Sequence, residues 1–225
     1  MKRIFYFLAL ILIYSCGNSK NSPEFIEKAT GSYLFNSDES IQIYFLDNVL
    51  TVKWRGKEDI KPLKVNDSTF YMKEMNEKIV FVSHPEIHIE LAEKREHKGK
   101  KYVFKKLNKG QKTAREYLLN EEYDKALEGY LEIQKKDSLD KTIREWNFNR
   151  LGYKAISNKK YDNAIEIFKI NTILYPTSSN TFDSLGEAYW RKKDTLNALK
   201  NFRKALSINP ENRSVKRFLK KHNLK

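Results

Sequence analysis

Between residues 31 and 107 apolar side chains recur at every second position. Ser40-Ile41-Gln42-Ile43-Tyr44-Phe45-Leu46 alternates, Asp47-Asn48 interrupts, and Val49-Leu50-Thr51-Val52-Lys53-Trp54 resumes the pattern. Alternation on both sides of an Asp-Asn pair predicts a β-hairpin, because side chains on a strand point to opposite faces in turn. Arg55-Gly56-Lys57 predicts the next turn, and Pro62 interrupts the short strand from Ile60 to Lys64 and makes it an edge. Further strands are expected over 69–73, 78–83 and 86–93, and at Tyr102-Val103-Phe104, with Asn66-Asp67-Ser68 and the stretch 96–100 as turns. Seven or eight short strands joined by tight turns predict an antiparallel meander curled into a half or full barrel.

After residue 108 the spacing becomes helical, and from Trp146 to Pro210 one pattern is written twice. Phe148 recurs as Phe182, Leu151-Gly152 as Leu185-Gly186, Tyr161 as Thr195, Ala164 as Ala198, Phe168 as Phe202 and Pro176 as Pro210, each pair 34 residues apart. The residue types fit a pair of antiparallel helices. Gly152 and Gly186 on the first helix, with Ala164 and Ala198 on the second, allow close approach. Phe168 and Phe202 fill space toward the next repeat, and Pro176 and Pro210 separate one unit from the next.

A 34-residue period with these residues in this order resembles the tetratricopeptide repeat, TPR. The resemblance implies an α-helical solenoid. Residues 109–138 read as a weaker first repeat, with Ala126 standing 38 residues before Ala164. The four additional residues are expected to lengthen the helix that holds Trp146. Past Pro210, Val215, Phe218 and Leu219 form an apolar stripe opposite Lys216, Arg217, Lys220 and Lys221, as a terminal cap helix requires. The fold class expected is thus α+β with two domains: an antiparallel β meander or half-barrel over 23–107, then three TPR helix pairs and a capping helix over 108–225.

The N-terminus carries a targeting pattern. Lys2-Arg3 precede a continuous apolar run, Ile4 to Ile13, which is shorter than the roughly 20 residues needed to span a bilayer. Ile13-Tyr14-Ser15-Cys16 resembles a bacterial lipoprotein cleavage box. This implies a signal peptide over 1–15, lipid attachment at Cys16 and a polar tether over 16–22. Cys16 is the only cysteine, so no internal disulfide can form. The localisation expected is the bacterial cell envelope, lipid-anchored to a membrane and facing the periplasm or the exterior.

Residues 31–107 also resemble the lipocalin-like domains that follow the catalytic part of many bacterial beta-lactamase-related serine hydrolases, often with a TPR tail. The residues that carry this are Gly31-Ser32-Tyr33, Leu50-Thr51-Val52, Ser68-Thr69-Phe70 and Ile79-Val80-Phe81. No catalytic domain of that kind is expected within these 225 residues. Fragments of its motifs occur at Ser157-Asn158-Lys159-Lys160, Ser138-Leu139-Asp140-Lys141, Tyr161-Asp162-Asn163 and His97-Lys98-Gly99. They are not separated as a catalytic centre requires, and no enzyme activity is expected. His84 and His88 stand four apart around Pro85, in strand rather than helix context, so no metal site is expected, and no cofactor.

Charge bears on the partner. The chain has a formal net charge of +14. Residues 23–107 hold 15 lysines and arginines against 14 acids, whereas residues 108–225 hold 25 against 15. A basic helical half suits nucleic acid, an anionic membrane surface or an acidic protein. With an export signal and no nucleic-acid motif, no nucleic acid is expected. By TPR register the first helices of the three pairs fall at 108–119, 146–157 and 180–191. The positions that face inward in the family are then Gln111, Arg115 and Leu118; Trp146, Asn149, Arg150 and Tyr153; and Asn180, Asp183, Glu187 and Trp190. The TPR subclass that clamps a C-terminal carboxylate uses a leading Lys and Asn where this chain has Gln111 and Arg115, an Asn where it has Arg150, and a closing Lys and Arg where it has Asn180 and Ser184, so that clamp is not expected. The surface expected to bind a protein or peptide partner comprises Arg115, Trp146, Asn149, Arg150, Tyr153, Asp183, Glu187 and Trp190, with the aromatic residues as anchors. Inter-helix packing of Trp146 and Trp190 is the plainer alternative. Two further functional readings stay open: an accessory subunit of an envelope serine hydrolase or peptidoglycan enzyme, and a small-ligand binder using a cavity lined by Tyr33, Phe45, Trp54, Phe70 and Phe81.

Overall fold

The structure is a computed structural model that describes residues 20–224; the targeting segment and Cys16 lie outside the described residues. The chain forms two compact units, one containing Tyr33 and Ile41–Lys106, the other joining Leu34–Ser40 to the helices from Leu107 onward.

A short helix, α1 (Pro23–Ala29), precedes the sheet. Ser22 caps it by accepting the Phe25 backbone N–H at 3.2 Å, and Pro23 opens its first turn, where a missing N–H costs nothing. Nine strands follow: β1 (Gly31–Asn36), β2 (Glu39–Leu46), β3 (Val49–Trp54), β4 (Lys57–Ile60), β5 (Leu63–Lys64), β6 (Thr69–Met72), β7 (Glu77–Val82), β8 (His88–Leu91) and β9 (Val103–Lys106). Their order across the sheet is β4-β3-β2-β1-β9-β8-β7-β6-β5. The two edge strands, β4 and β5, are consecutive in sequence and joined only by Lys61-Pro62. Ile60 and Leu63 can therefore stand no more than about 10 Å apart, and the sheet must curl until its edges meet. Two strands exceed those named from the sequence: β1, which precedes the alternation that starts at Ser40, and the one gained where Pro62 divides its strand. Its first half pairs with β3 and its second half with β6, because proline has no N–H to continue one ladder.

The alternation seen in the sequence sets what the sheet buries. Ile41 and Ile43; Leu50, Val52 and Trp54; Phe70 and Met72; Ile79 and Phe81; and Ile89 and Leu91 all face the interior. Ile43 lies opposite Val52 in the β2–β3 register, and Asp47 and Asn48 both take positive φ (50° and 63°) in the turn between them. That is the conformation a two-residue hairpin of this twist needs.

The helical unit is a solenoid of antiparallel helix pairs, as the 34-residue period predicts. Its pairs are α2 (Ala114–Leu119) with α3 (Tyr123–Lys136), α4 (Glu145–Ser157) with α5 (Tyr161–Leu174), and α6 (Ser179–Arg191) with α7 (Thr195–Ile208), followed by α8 (Arg213–Lys221). Glycine decides how closely each pair packs. A Cβ on Gly152 would stand 2.4 Å from the Phe168 ring, and one on Gly186 2.7 Å from the Phe202 ring. Each phenylalanine thus fills a slot over the glycine of its own repeat, rather than reaching only toward the next. In the first repeat the roles reverse: Gly129 of α3 lies against Ala114 of α2, where an added Cβ would come within 2.9 Å.

Two sequence expectations are corrected. The first helix begins at Ala114, not at 108, because Thr113 and Glu116 form a reciprocal capping box that fixes its start. Gln111 therefore lies before the helix. The four additional residues do not lengthen α4, which has 13 residues like α6; they lie in the loop 137–144, where the corresponding link before α6 is 175–178.

Leu34–Ser40, the end of β1, the turn Ser37-Asp38 and the start of β2, contributes a buried carboxylate to the helical unit. Asp38 is 5% exposed. It accepts the Arg115 backbone N–H at 2.7 Å and the Tyr130 hydroxyl at 3.4 Å. Burial raises its carboxyl to about 7, against these two hydrogen bonds and the Arg115 charge, which pull it down.

Two expectations follow. Gly152→Ala should destabilise the protein by about 1–3 kcal/mol despite alanine's better helix propensity, since the Phe168 ring has nowhere to move; an unchanged melting temperature would contradict the slot. For Asp38, the folded state holds a proton up to about pH 7 while the unfolded carboxyl loses it near 4. The folded form therefore binds more protons across that window, and stability falls as pH rises through it, by on the order of 1–3 kcal/mol. Asp38→Asn should remove this decline and melt higher than the parent at pH 8. A variant that melts lower at pH 8, or declines as steeply, would refute the assignment.

Candidate functional site

The first helices α4 and α6 lie side by side and are tied by polar contacts. The Tyr153 hydroxyl donates to Ser184 Oγ at 3.2 Å and lies 3.4 Å from Glu187 Oε2, and Asn180 Nδ2 donates to Glu145 Oε1 at 2.7 Å. Behind α4, Asn171 of α5 donates to Asn149 Oδ1 at 3.0 Å and toward the Glu145 carbonyl at 3.3 Å. These bonds hold the backbone of α4 between two neighbours and leave one face of it open.

That face carries Trp146, Arg150 and Tyr153, at helical spacings of four and three, which align side chains on one side. Trp146 is 55% exposed and Tyr153 38% exposed. The Arg150 guanidinium stands 5.5 Å from the Trp146 ring centroid, within cation–π range. The Tyr153 ring packs edge-on against Phe168 at 5.3 Å, and burial raises its hydroxyl to about 12, so it stays a neutral hydrogen-bond donor. Glu187 beside it pairs with Arg191 at 3.0 Å. The arrangement offers an aromatic platform with a cation over it, flanked by polar groups.

The other residues expected on this surface have different surroundings. Trp190 packs edge-on against Phe218 at 5.3 Å and lies 4.8 Å from His222, so it is a seat for α8 rather than an open anchor. Asp183 is 9% exposed and hydrogen-bonded to Ser214 and Asn212 at the start of α8. Burial raises its carboxyl above the usual range. The Asn149 side-chain oxygen is taken by Asn171, and the Arg115 charge acts on Asp38. Sequence reasoning missed Asn171, although an asparagine in the run Ile167-Phe168-Lys169-Ile170-Asn171-Thr172-Ile173-Leu174 signals a buried amide in need of a partner.

The remaining chemistry-bearing residues are placed as follows. Ser157 Oγ donates to the Tyr153 carbonyl of its own helix at 3.0 Å, and Lys160 pairs with Glu121 at 3.6 Å. Among the described residues no group of three His, Cys, Asp or Glu side chains could hold a metal ion. His88 contacts Glu90 at 3.2 Å and His97 contacts Glu77 at 3.1 Å. Within the sheet, the aromatic residues considered for a ligand cavity pack on one another. Phe70 lies 5.8 Å from Phe81, and Tyr33 6.2 Å from Phe81. Phe25 of α1 is wedged among Phe45, Phe70 and Phe81 at 5.9, 5.7 and 5.1 Å.

Comparison with known proteins identifies one repeat within the helical unit. Residues 180–212 match the tetratricopeptide repeat family model. Among solved structures, the first TPR domain of human RPAP3 is 17% identical with a TM-score of 0.34, covering 49% of this chain and 84% of that one. The TPR domain of Arabidopsis OM64 is 17% identical with a TM-score of 0.32, covering 48% and 89%. MamA of AMB-1 is 23% identical with a TM-score of 0.29, covering 42% and 53%. No curated protein matches the sequence significantly. Residues 180–212 thus carry a recognised tetratricopeptide repeat, within a helical unit that follows an antiparallel β unit in the chain.

The two tryptophans of the first helices should separate in a melting experiment. Trp190→Ala removes the seat of α8 and should cost about 2–3 kcal/mol, whereas Trp146→Ala should change stability by less than about 0.5 kcal/mol. Equal losses would show that Trp146 is also structural.

Proposed function

We propose that this protein is a lipid-anchored, non-catalytic component of the bacterial cell envelope whose TPR solenoid binds a protein or peptide partner on the open face of α4. The observation that carries the reading is Trp146, more than half exposed on an ordered helix with Arg150 held beside its ring. A large aromatic surface left in water is unfavourable unless something covers it, and tryptophan and arginine are enriched among residues that dominate interface energies. Arg150 favours an acidic or polar segment in the partner, and Tyr153 adds an apolar flank with a hydroxyl at its edge. The envelope location and the lipid at Cys16 rest on the positive n-region, the apolar run and the Ser15-Cys16 pair. Fusion of the same kinds of unit in serine hydrolases suggests an envelope enzyme as the partner. A small ligand within the sheet has less support, since Phe25 and the inward aromatics already fill one another's faces.

Crosslinked capture from envelope extract tests the partner face. The parent should retain specific partners, and Trp146→Ala with Arg150→Ala should lose them while melting like the parent, each truncation weakening binding by about 2 kcal/mol. Undiminished capture by the folded double variant would remove α4 as the binding surface. Labelling with a tagged fatty acid tests the anchor separately: the parent should take up label and Cys16→Ala should not.

A further inference from the structure

The final helix pair and the cap concentrate positive charge far beyond the rest of the molecule. From Thr195 to Leu224 the chain has eight lysines and arginines against one acid, Glu211, a net of +7 and half of the chain's +14. The fold gathers this charge on the outside. On α8, Val215 is buried and Phe218 and Leu219 face inward, with Phe218 against Phe202 at 4.6 Å. Six positions of α8 are exposed, and five of them are Arg213, Lys216, Arg217, Lys220 and Lys221. At 100° per residue these five fall within an arc of about 140° opposite the apolar stripe. On α7, Phe202 and Ala205 face inward, and Lys200, Arg203 and Lys204 are exposed at helical spacing on one side. Glu211 engages Lys216 at 3.0 Å, in a pair that is itself half exposed and worth little.

A solvated helix surface normally mixes the two signs of charge; a stable fold does not need five cations on six outward positions. We infer that the outer face of α8, with the basic side of α7, is an electrostatic docking surface for an anionic lipid bilayer. Charge complementarity selects the class. A flat face of lysine and arginine without inserted apolar groups matches anionic headgroups, to which each such residue adds attraction near the surface. Non-specific binding of single-stranded nucleic acid adds aromatic platforms to such a face, but here Phe218 and Trp190 are turned inward and packed. The inference is independent of the partner face on α4. It takes from the proposed function only that the chain stands at a membrane, where the basic face would hold the solenoid against the headgroups.

The test is sedimentation with vesicles of phosphatidylcholine alone, or with about one-third phosphatidylglycerol, at roughly 0.1 M and 0.5 M salt. The full chain is produced without export and with Cys16→Ser, so that no acyl group contributes and a failed anchor assignment cannot affect the result. The apolar run near the N-terminus is common to every variant, so the readout is the difference between anionic and neutral vesicles. The chain should bind anionic vesicles more tightly at low salt. Arg217→Gln with Lys220→Gln and Lys221→Gln should weaken that binding about tenfold or more. Lys57→Gln with Lys61→Gln and Lys98→Gln, the same change in net charge on exposed positions of the β unit, should leave it within about twofold. Equal losses in the two triple variants would reduce the effect to net charge and overturn the proposal, as would equal binding to neutral vesicles. Tighter binding to a DNA or RNA oligonucleotide than to anionic vesicles, lost with the α8 triple variant, would reassign the face to polynucleotides.

Discussion

The helical unit depends on the contact between a glycine on one helix and a ring on the next. Gly152 beneath Phe168 and Gly186 beneath Phe202 leave room for the ring and nothing more. Because both phenylalanines are fully buried, each slot fixes the spacing and rotation of its helix pair at once. Repeating the slot at 34 residues repeats the geometry, which is how a local constraint becomes a solenoid. The rotation it imposes turns Phe148, Gly152, Ala155 and Ile156 of α4 inward and leaves Trp146, Arg150 and Tyr153 outward. The exposed aromatic face is thus a consequence of the same packing that stabilises the array.

The β unit follows from a different constraint, the missing N–H of Pro62. One strand exchanges partners at that residue, so the sheet ends on both sides of a two-residue link and must roll up to accommodate it. Its interior is closed by side chains: the inward residue of each alternating pair, and Phe25 delivered by α1. The unit's nearly balanced charge contrasts with the basic helices. Composition by segment therefore says more about partners than the net charge of the whole chain.

Much of this was legible in the sequence, for a physical reason. Strand alternation, the hairpin at Asp47-Asn48 and the Gly-Ala-Phe spacing are local, and each is written within a few residues of the feature it sets. The start of α2 was legible too, since Thr113-x-x-Glu116 is a capping box, but the family register drew the helix six residues too long. What could not be read is what depends on distant pairings. Asp38 meets Arg115 across 77 positions, so a turn residue in the β segment gave no sign of joining the helical unit. The repeat register alone puts Trp190 and Asp183 on an open surface, because it does not show where the cap helix rests. An apolar stripe such as Val215, Phe218 and Leu219 must rest on something, and the adjoining ends of α6 and α7 supply it. Trp146 is 55% exposed with Arg150 of its own helix beside its ring, whereas Phe218 and His222 lie against Trp190, which is why one tryptophan is an anchor candidate and the other is packing.

The proposed function stands or falls with partner binding on the open face of α4. The most direct measurement is photocrosslinking in living cells with a photoreactive amino acid placed at Arg150, compared with one at Leu196, which is 80% exposed on α7. Position 150 should give a discrete higher-mass adduct and position 196 none. No adduct at 150, or the same adducts in equal yield at both positions, would contradict it.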